Sequence, residues 1–84
     1  MARFEIEITH SAEKQLRALD RVDQHRLAKA MLALAEEPRP RGAKKLSGYD
    51  DVFRNRVGSY RIIYSVEQRR LVILILKIGH RRDV

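Results

Sequence analysis

The chain has 84 residues, enough for one small domain spanning 1–84 with a single thin core. It has no cysteine, which excludes a disulfide framework and a Cys-based zinc site, and its three histidines are scattered with no second ligand at metal spacing. The net charge of +7 is uneven, with six Lys/Arg against seven Asp/Glu over residues 1–38 and twelve against four over residues 39–84. Such an asymmetry points to nucleic acid or an acidic protein partner; the alternative is a generic basic surface.

Arg3 to Ile8 alternates, with Phe4, Ile6 and Ile8 on one side and Glu5 and Glu7 on the other, which predicts a half-buried strand. Thr9 or Ser11 can cap a following helix, since a hydroxyl accepts a bond from an orphan helical N–H. Ala12, Leu16 and Leu19 share one face of that helix. Asp20 reads as a break and a second N-cap, with Asp23 favourable in the next first turn. The second helix is predicted from Arg21 to Glu37, with Leu27, Met31 and Leu34 as its apolar stripe and Pro38 as its stop. His10 and His25 fall on these helices as solvated surface residues. The two helices form an antiparallel hairpin lying on a sheet.

Residues 38–51 form a long connection, a feature that is often functional. It contributes Arg39, Arg41, Lys44 and Lys45, which suit phosphate contact as well as plain solvation. Leu46 and Tyr49 are expected to pin it to the core.

Val52 to Tyr64 reads as a hairpin. With Gly58-Ser59 as a two-residue type II′ loop, Val57 pairs with Tyr60, Arg56 with Arg61 and Arg54 with Ile63. Side chains alternate between faces along a strand, so Arg54, Arg56 and Arg61 share a face. Like charges directly opposite each other destabilise a sheet. The arrangement suits a polyanion better than it suits the fold.

Tyr60, Ile62, Tyr64 and Val66 form the buried face of the next strand, and Gln68-Arg69 the next turn. Leu71 to Ile78 is almost continuously apolar, the mark of a central strand. Its antiparallel neighbour is the Tyr60–Val66 strand, and its other neighbour is the amino-terminal strand, running parallel. The expected fold is α+β: an amino-terminal strand plus an antiparallel three-strand meander, with the two helices on one face and the arginines on the other. The tail, Gly79 to Val84, is expected to bring Arg81 and His80 towards Arg54, Arg56 and Arg61. No apolar run approaches a membrane span and the amino terminus has no apolar signal segment, so no membrane contact and a cytoplasmic location are expected.

This order of elements, with Lys-Leu-Ser-Gly at 45–48, Gly-Ser-Tyr-Arg-Ile-Ile-Tyr at 58–64 and Gly-His-Arg-Arg at 79–82, resembles the RelE/ParE toxin superfamily. The ending looks more like the RelE branch than the gyrase-directed ParE branch. The resemblance implies a RelE-like fold and a toxin of a type II toxin–antitoxin module. It further implies a metal-independent, cofactor-free endoribonuclease that cleaves messenger RNA in the ribosomal A site. The 2′-oxygen attacks the adjacent phosphate and leaves a cyclic phosphate end.

Matched residue by residue, the family's basic positions fall on Arg54, Arg56, Arg61 and Arg81. Guanidinium groups stabilise charge gathering on phosphate oxygens, and a planar fork suits bidentate contact. Arg61 and Arg81 are assigned to the scissile phosphate, Arg54 and Arg56 to the backbone and the ionised 2′-oxygen. Arg39, Arg41, Lys44, Lys45 and Arg82 are candidate RNA contacts. Many RelE members have lysine where Arg54 and Arg56 stand, and a tyrosine after the tail's Asp-Val or Glu-Val as proton donor. The present chain ends at Val84, leaving His80 as the nearest titratable substitute, with Asp83 a weaker one. Expected partners are the ribosome, mRNA and a RelB-like antitoxin encoded alongside, in a toxin–antitoxin hetero-oligomer. Two rivals stand beside this reading: a ParE-like gyrase inhibitor, and an inert RNA- or ribosome-binding module.

Overall fold

The computed structural model describes residues 3–80. In chain order the elements are β1 (Glu5–Ile8), α1 (His10–Arg17), α2 (Arg21–Glu36), β2 (Lys44–Lys45), β3 (Val52–Val57), β4 (Tyr60–Glu67) and β5 (Val72–His80). Among the described residues the strands form one five-stranded sheet in the order β1-β5-β4-β3-β2. β1 runs parallel to β5, and the other pairs are antiparallel.

Each helix begins at a short polar side chain that takes up an orphan N–H group, Thr9 after β1 and Asp20 after α1. Thr9 Oγ1 accepts from the Ala12 N–H at 3.1 Å, and Asp20 Oδ1 accepts from the Asp23 N–H at 2.9 Å. Of the two possible caps for α1, Thr9 holds the position. Gln24 ties the helices together, its Nε2 donating to Leu19 O at 2.7 Å across the break between them.

The helices cover one face of the sheet. Leu27, Met31 and Leu34 of α2 pack with Ile62, Tyr64, Val66, Ile73, Ile75 and Ile78 in one buried cluster. Alternation along β4 gives this directly: Ile62 and Tyr64 are fully buried while Arg61 and Ile63 turn to the opposite face. The Phe53 and Tyr64 rings stack beneath the helices with centroids 5.9 Å apart. The Tyr64 hydroxyl donates to Pro38 O at 2.7 Å, anchoring the end of α2 to the sheet.

The 38–51 connection departs from a structureless loop. Lys44 pairs with Arg54 and Lys45 with Phe53, so a two-residue strand is added at the sheet edge. The Leu46 N–H donates to Val52 O at 2.8 Å and extends that pairing. Leu46 is half-buried as expected, but Tyr49 is 60% exposed and pins nothing. His10 and His25 are exposed. No described helix is long and apolar enough to cross a membrane.

Candidate nucleic-acid interface

The hairpin forms in the register its sequence dictates: Val57 opposite Tyr60, Arg56 opposite Arg61, Arg54 opposite Ile63. Gly58 has φ +62° while Ser59 keeps a negative φ, the signature of a type II′ turn. Register partners share a face, so Arg54, Arg56 and Arg61 lie together on the face away from the helices. Arg56 is exposed, and Arg54 and Arg61 are half-buried. Partial burial raises the local field of a cation and narrows its range of positions.

A cleft of about 320 Å³ opens at the β2–β3 edge, lined by Arg41, Gly42, Lys44, Arg54, Asn55 and Arg56. β2 places Lys44 directly opposite Arg54. Four cations from two separated segments therefore surround one concavity with no acidic side chain in its lining. Such a grouping is costly for the fold and useful for a phosphate chain. Asn55 and Gly42 join it without any charge pattern to mark them in the sequence.

A larger cavity of about 400 Å³ lies at the β4–β5 turn, lined by Asp51, Glu67, Gln68, Arg69 and Arg70. Its charges are mixed, and Arg70 is engaged with Glu67 at 3.1 Å and Glu7 at 3.7 Å. It lacks the one-signed lining that sets the edge cleft apart.

The remaining sequence candidates divide. Arg41 and Lys44 join Arg54 and Arg56; Arg39 and Lys45 do not. The Arg39 guanidinium lies over the Phe53 ring at 5.3 Å, a cation–π contact on the helix side. Lys45 is the register partner of that same Phe53 and so shares its side of the sheet. His80 also departs from expectation. It pairs with Tyr60 and meets that ring edge-on at 5.9 Å, so it projects towards the helix side, opposite to Arg61. Arg61's own partner on β5 is Gly79, which presents no side chain there. Arg81, Arg82 and Asp83 lie outside the described residues.

The two tyrosines of β4 serve structure. Tyr60 donates to Asp23 Oδ2 at 3.0 Å, and this bond to a carboxylate raises its pKa. Burial pushes the Tyr64 phenol up to about 12, with the nearby Arg39 charge acting weakly in the other direction. Neither is poised as a base near neutral pH. Among the described residues no group of three or more His, Asp or Glu side chains is arranged to hold a metal ion.

Against this geometry the similarities to known proteins are consistent. The family of ParE toxins of type II toxin–antitoxin systems (parDE) matches residues 6–84. A Methanocaldococcus jannaschii protein named "Putative toxin RelE1" is 30% identical over 82 aligned residues, covering 94% of this chain and 91% of the relative. Among solved structures, an archaeal RelE–RelB complex from Pyrococcus horikoshii contains a chain that superposes with a TM-score of 0.85 at 34% identity, each chain fully covered. The toxin–antitoxin complex RelBE2 of Mycobacterium tuberculosis contains another, with a TM-score of 0.83 at 25% identity, covering 94% of this chain and 99% of that one.

Proposed function

The chain belongs to the ParE toxin family within the RelE/ParE superfamily and is a RelE-like toxin of a type II toxin–antitoxin system, and on that premise we propose that it is a ribosome-dependent endoribonuclease acting on mRNA. The observation that carries this reading is the convergence of Arg41, Lys44, Arg54 and Arg56 on one cleft, with Arg61 paired to Arg56 beside it.

In this reading the sheet face holds the RNA backbone. The ribose 2′-oxygen attacks the adjacent phosphorus, the bond from phosphorus to the 5′-oxygen breaks, and the products are a 2′,3′-cyclic phosphate and a 5′-hydroxyl. Arg61 stabilises the non-bridging oxygens as their charge grows. Arg54 and Arg56 orient the chain and favour the ionised 2′-oxygen. Removing one such preorganised donor costs roughly 10²–10³ in rate. Arginine holds its proton throughout, so a group other than these arginines, or water, takes the proton from the 2′-hydroxyl and supplies one to the departing 5′-oxygen. His80, turned towards Tyr60, is not positioned beside Arg61 to receive it. Arg81 retains its proposed role on the scissile phosphate.

The proposed partner is an antitoxin, as the named RelE–RelB and RelBE2 complexes suggest. A segment acidic enough to occupy the basic cleft would exclude RNA from it. We place the toxin in the cytoplasm, where ribosomes and such an antitoxin meet it.

The ParE description of the matching family favours a second reading, inhibition of DNA gyrase. In vitro translation of a defined message, followed by primer extension, separates the two. Discrete cuts that vanish when the cut nucleotide carries a 2′-deoxy sugar support the nuclease. Uncut message together with trapped, cleaved DNA–gyrase complexes supports the second reading.

A further inference from the structure

Strand β5 changes phase partway along. Ile73 pairs with Val66 and Ile75 with Tyr64, and all four are buried under the helices. Strict alternation would send Lys77 into the same core. Instead the pairing steps from Tyr64–Ile75 to Ile63–Lys77, and Leu76 is left as an extra residue, a β-bulge. The bulge turns Ile78 inward, where it is 2% exposed, and turns Lys77 outward into solvent.

Thr9, the N-cap of α1, and Gln15 within it hold this irregularity. Thr9 Oγ1 donates to Leu76 O at 3.2 Å, and Gln15 Oε1 accepts from the Ile78 N–H at 2.8 Å. The backbone groups freed by the bulge and by the end of β1 are thereby satisfied.

The consequence is a row of side chains across four strands: Lys44, Arg54, Ile63 and Lys77. The next row towards the hairpin turn holds Arg56, Arg61 and Gly79. In the other direction carboxylates enter the rows, two of them, Glu7 and Glu67, paired with Arg70. Val52, Ser65, Leu74 and Glu7 form one row, and Glu67, Val72 and Glu5 the last. A polyanion laid along the strands would leave the cations for three carboxylates. One laid across the strands meets Lys44 and Arg54 on β2 and β3 and Lys77 on β5, with Ile63 between them.

We propose that Lys77 is a phosphate-contact residue of this face, and that single-stranded RNA crosses the sheet from the Arg41–Lys44 edge to β5 instead of following the strands. The inference rests on the RNA reading above. Lys44 to Lys77 spans three interstrand gaps, about 14 Å, a distance that a short single-stranded segment covers.

Equilibrium binding of a 2′-O-methyl single-stranded RNA oligonucleotide, which resists cleavage, tests this when measured against salt. For single strands each phosphate contact contributes about 0.7 to the slope of log K against log salt. Lys77→Ala is expected to lower the slope by about 0.7, as Arg54→Ala does, while Lys77→Arg retains it. Glu5→Gln is expected to leave the slope unchanged. Salt-sensitive binding by the unaltered protein with no change in Lys77→Ala overturns the Lys77 assignment alone. A slope altered by Glu5→Gln as much as by Lys77→Ala overturns the crossing path. Absence of salt-sensitive binding in the unaltered protein overturns this inference, while the nuclease reading stands or falls separately on the translation and primer-extension assay.

Discussion

At the scale of single residues, side-chain direction decides which charges can cooperate. Arg54, Arg56 and Arg61 were legible because one turn residue, Gly58, sets the hairpin register and the period of two does the rest. Lys77, Lys45 and His80 were not, since a one-residue change of phase or a neighbouring strand moves a side chain to the other face. Tyr64 offers a separate check on the core. A tyrosine whose pKa is raised on folding stabilises the fold fully below its unfolded pKa of 10.0, and that contribution is lost as pH rises through the folded value of about 12. Stability to urea should therefore fall between about pH 10 and 12. Tyr64→Phe should flatten part of that fall and, at neutral pH, cost about 1 kcal/mol for the lost bond to Pro38. An unchanged alkaline profile in Tyr64→Phe would assign the loss to other groups.

At the scale of elements, the predicted strands and helices are where the sequence places them, because apolar periodicity, capping hydroxyls and Pro38 agree. β2 escaped detection for a physical reason: two residues have no periodicity, and Lys44 and Lys45 pair only because β3 presents a free edge to them. The bulge in β5 was equally hidden, since the apolar run of 71–76 is compatible with either phase. Two substitutions probe these elements. Gly58→Ala puts a side chain at φ +62° and a Cβ 2.8 Å from Arg26 Nη1. The arginine tip can swing away, so the backbone strain remains as the main cost, about 1–2 kcal/mol by denaturant midpoint. Gln15→Leu leaves the Ile78 N–H without its acceptor and should cost about 1–3 kcal/mol. It should also speed amide exchange at Ile78 more than elsewhere in β5. Uniform acceleration across the strand would argue that Gln15 acts on global stability alone.

At the scale of the whole molecule, the sheet separates two tasks between its faces. The helix face supplies the apolar core, and the open face carries cations at its hairpin end and carboxylates, two of them paired with Arg70, at the other. The sequence showed the basic excess of residues 39–84 but not this polarity, because Glu5 and Glu7 come from the other end of the chain and meet β5 only through parallel pairing. Binding to ribosomes should weaken steeply as salt rises, in a sedimentation assay, because each phosphate contact releases counterions. Neutralising Arg54 and Arg56 together should flatten that dependence. Whether the arginine face stabilises the cleavage of RNA is decided by single-turnover cleavage of a ribosome-bound message with the unaltered protein and with Arg61→Ala. A loss of roughly 10²–10³ in rate is expected for Arg61→Ala, with ribosome association largely retained. Equal rates in the two proteins would contradict it.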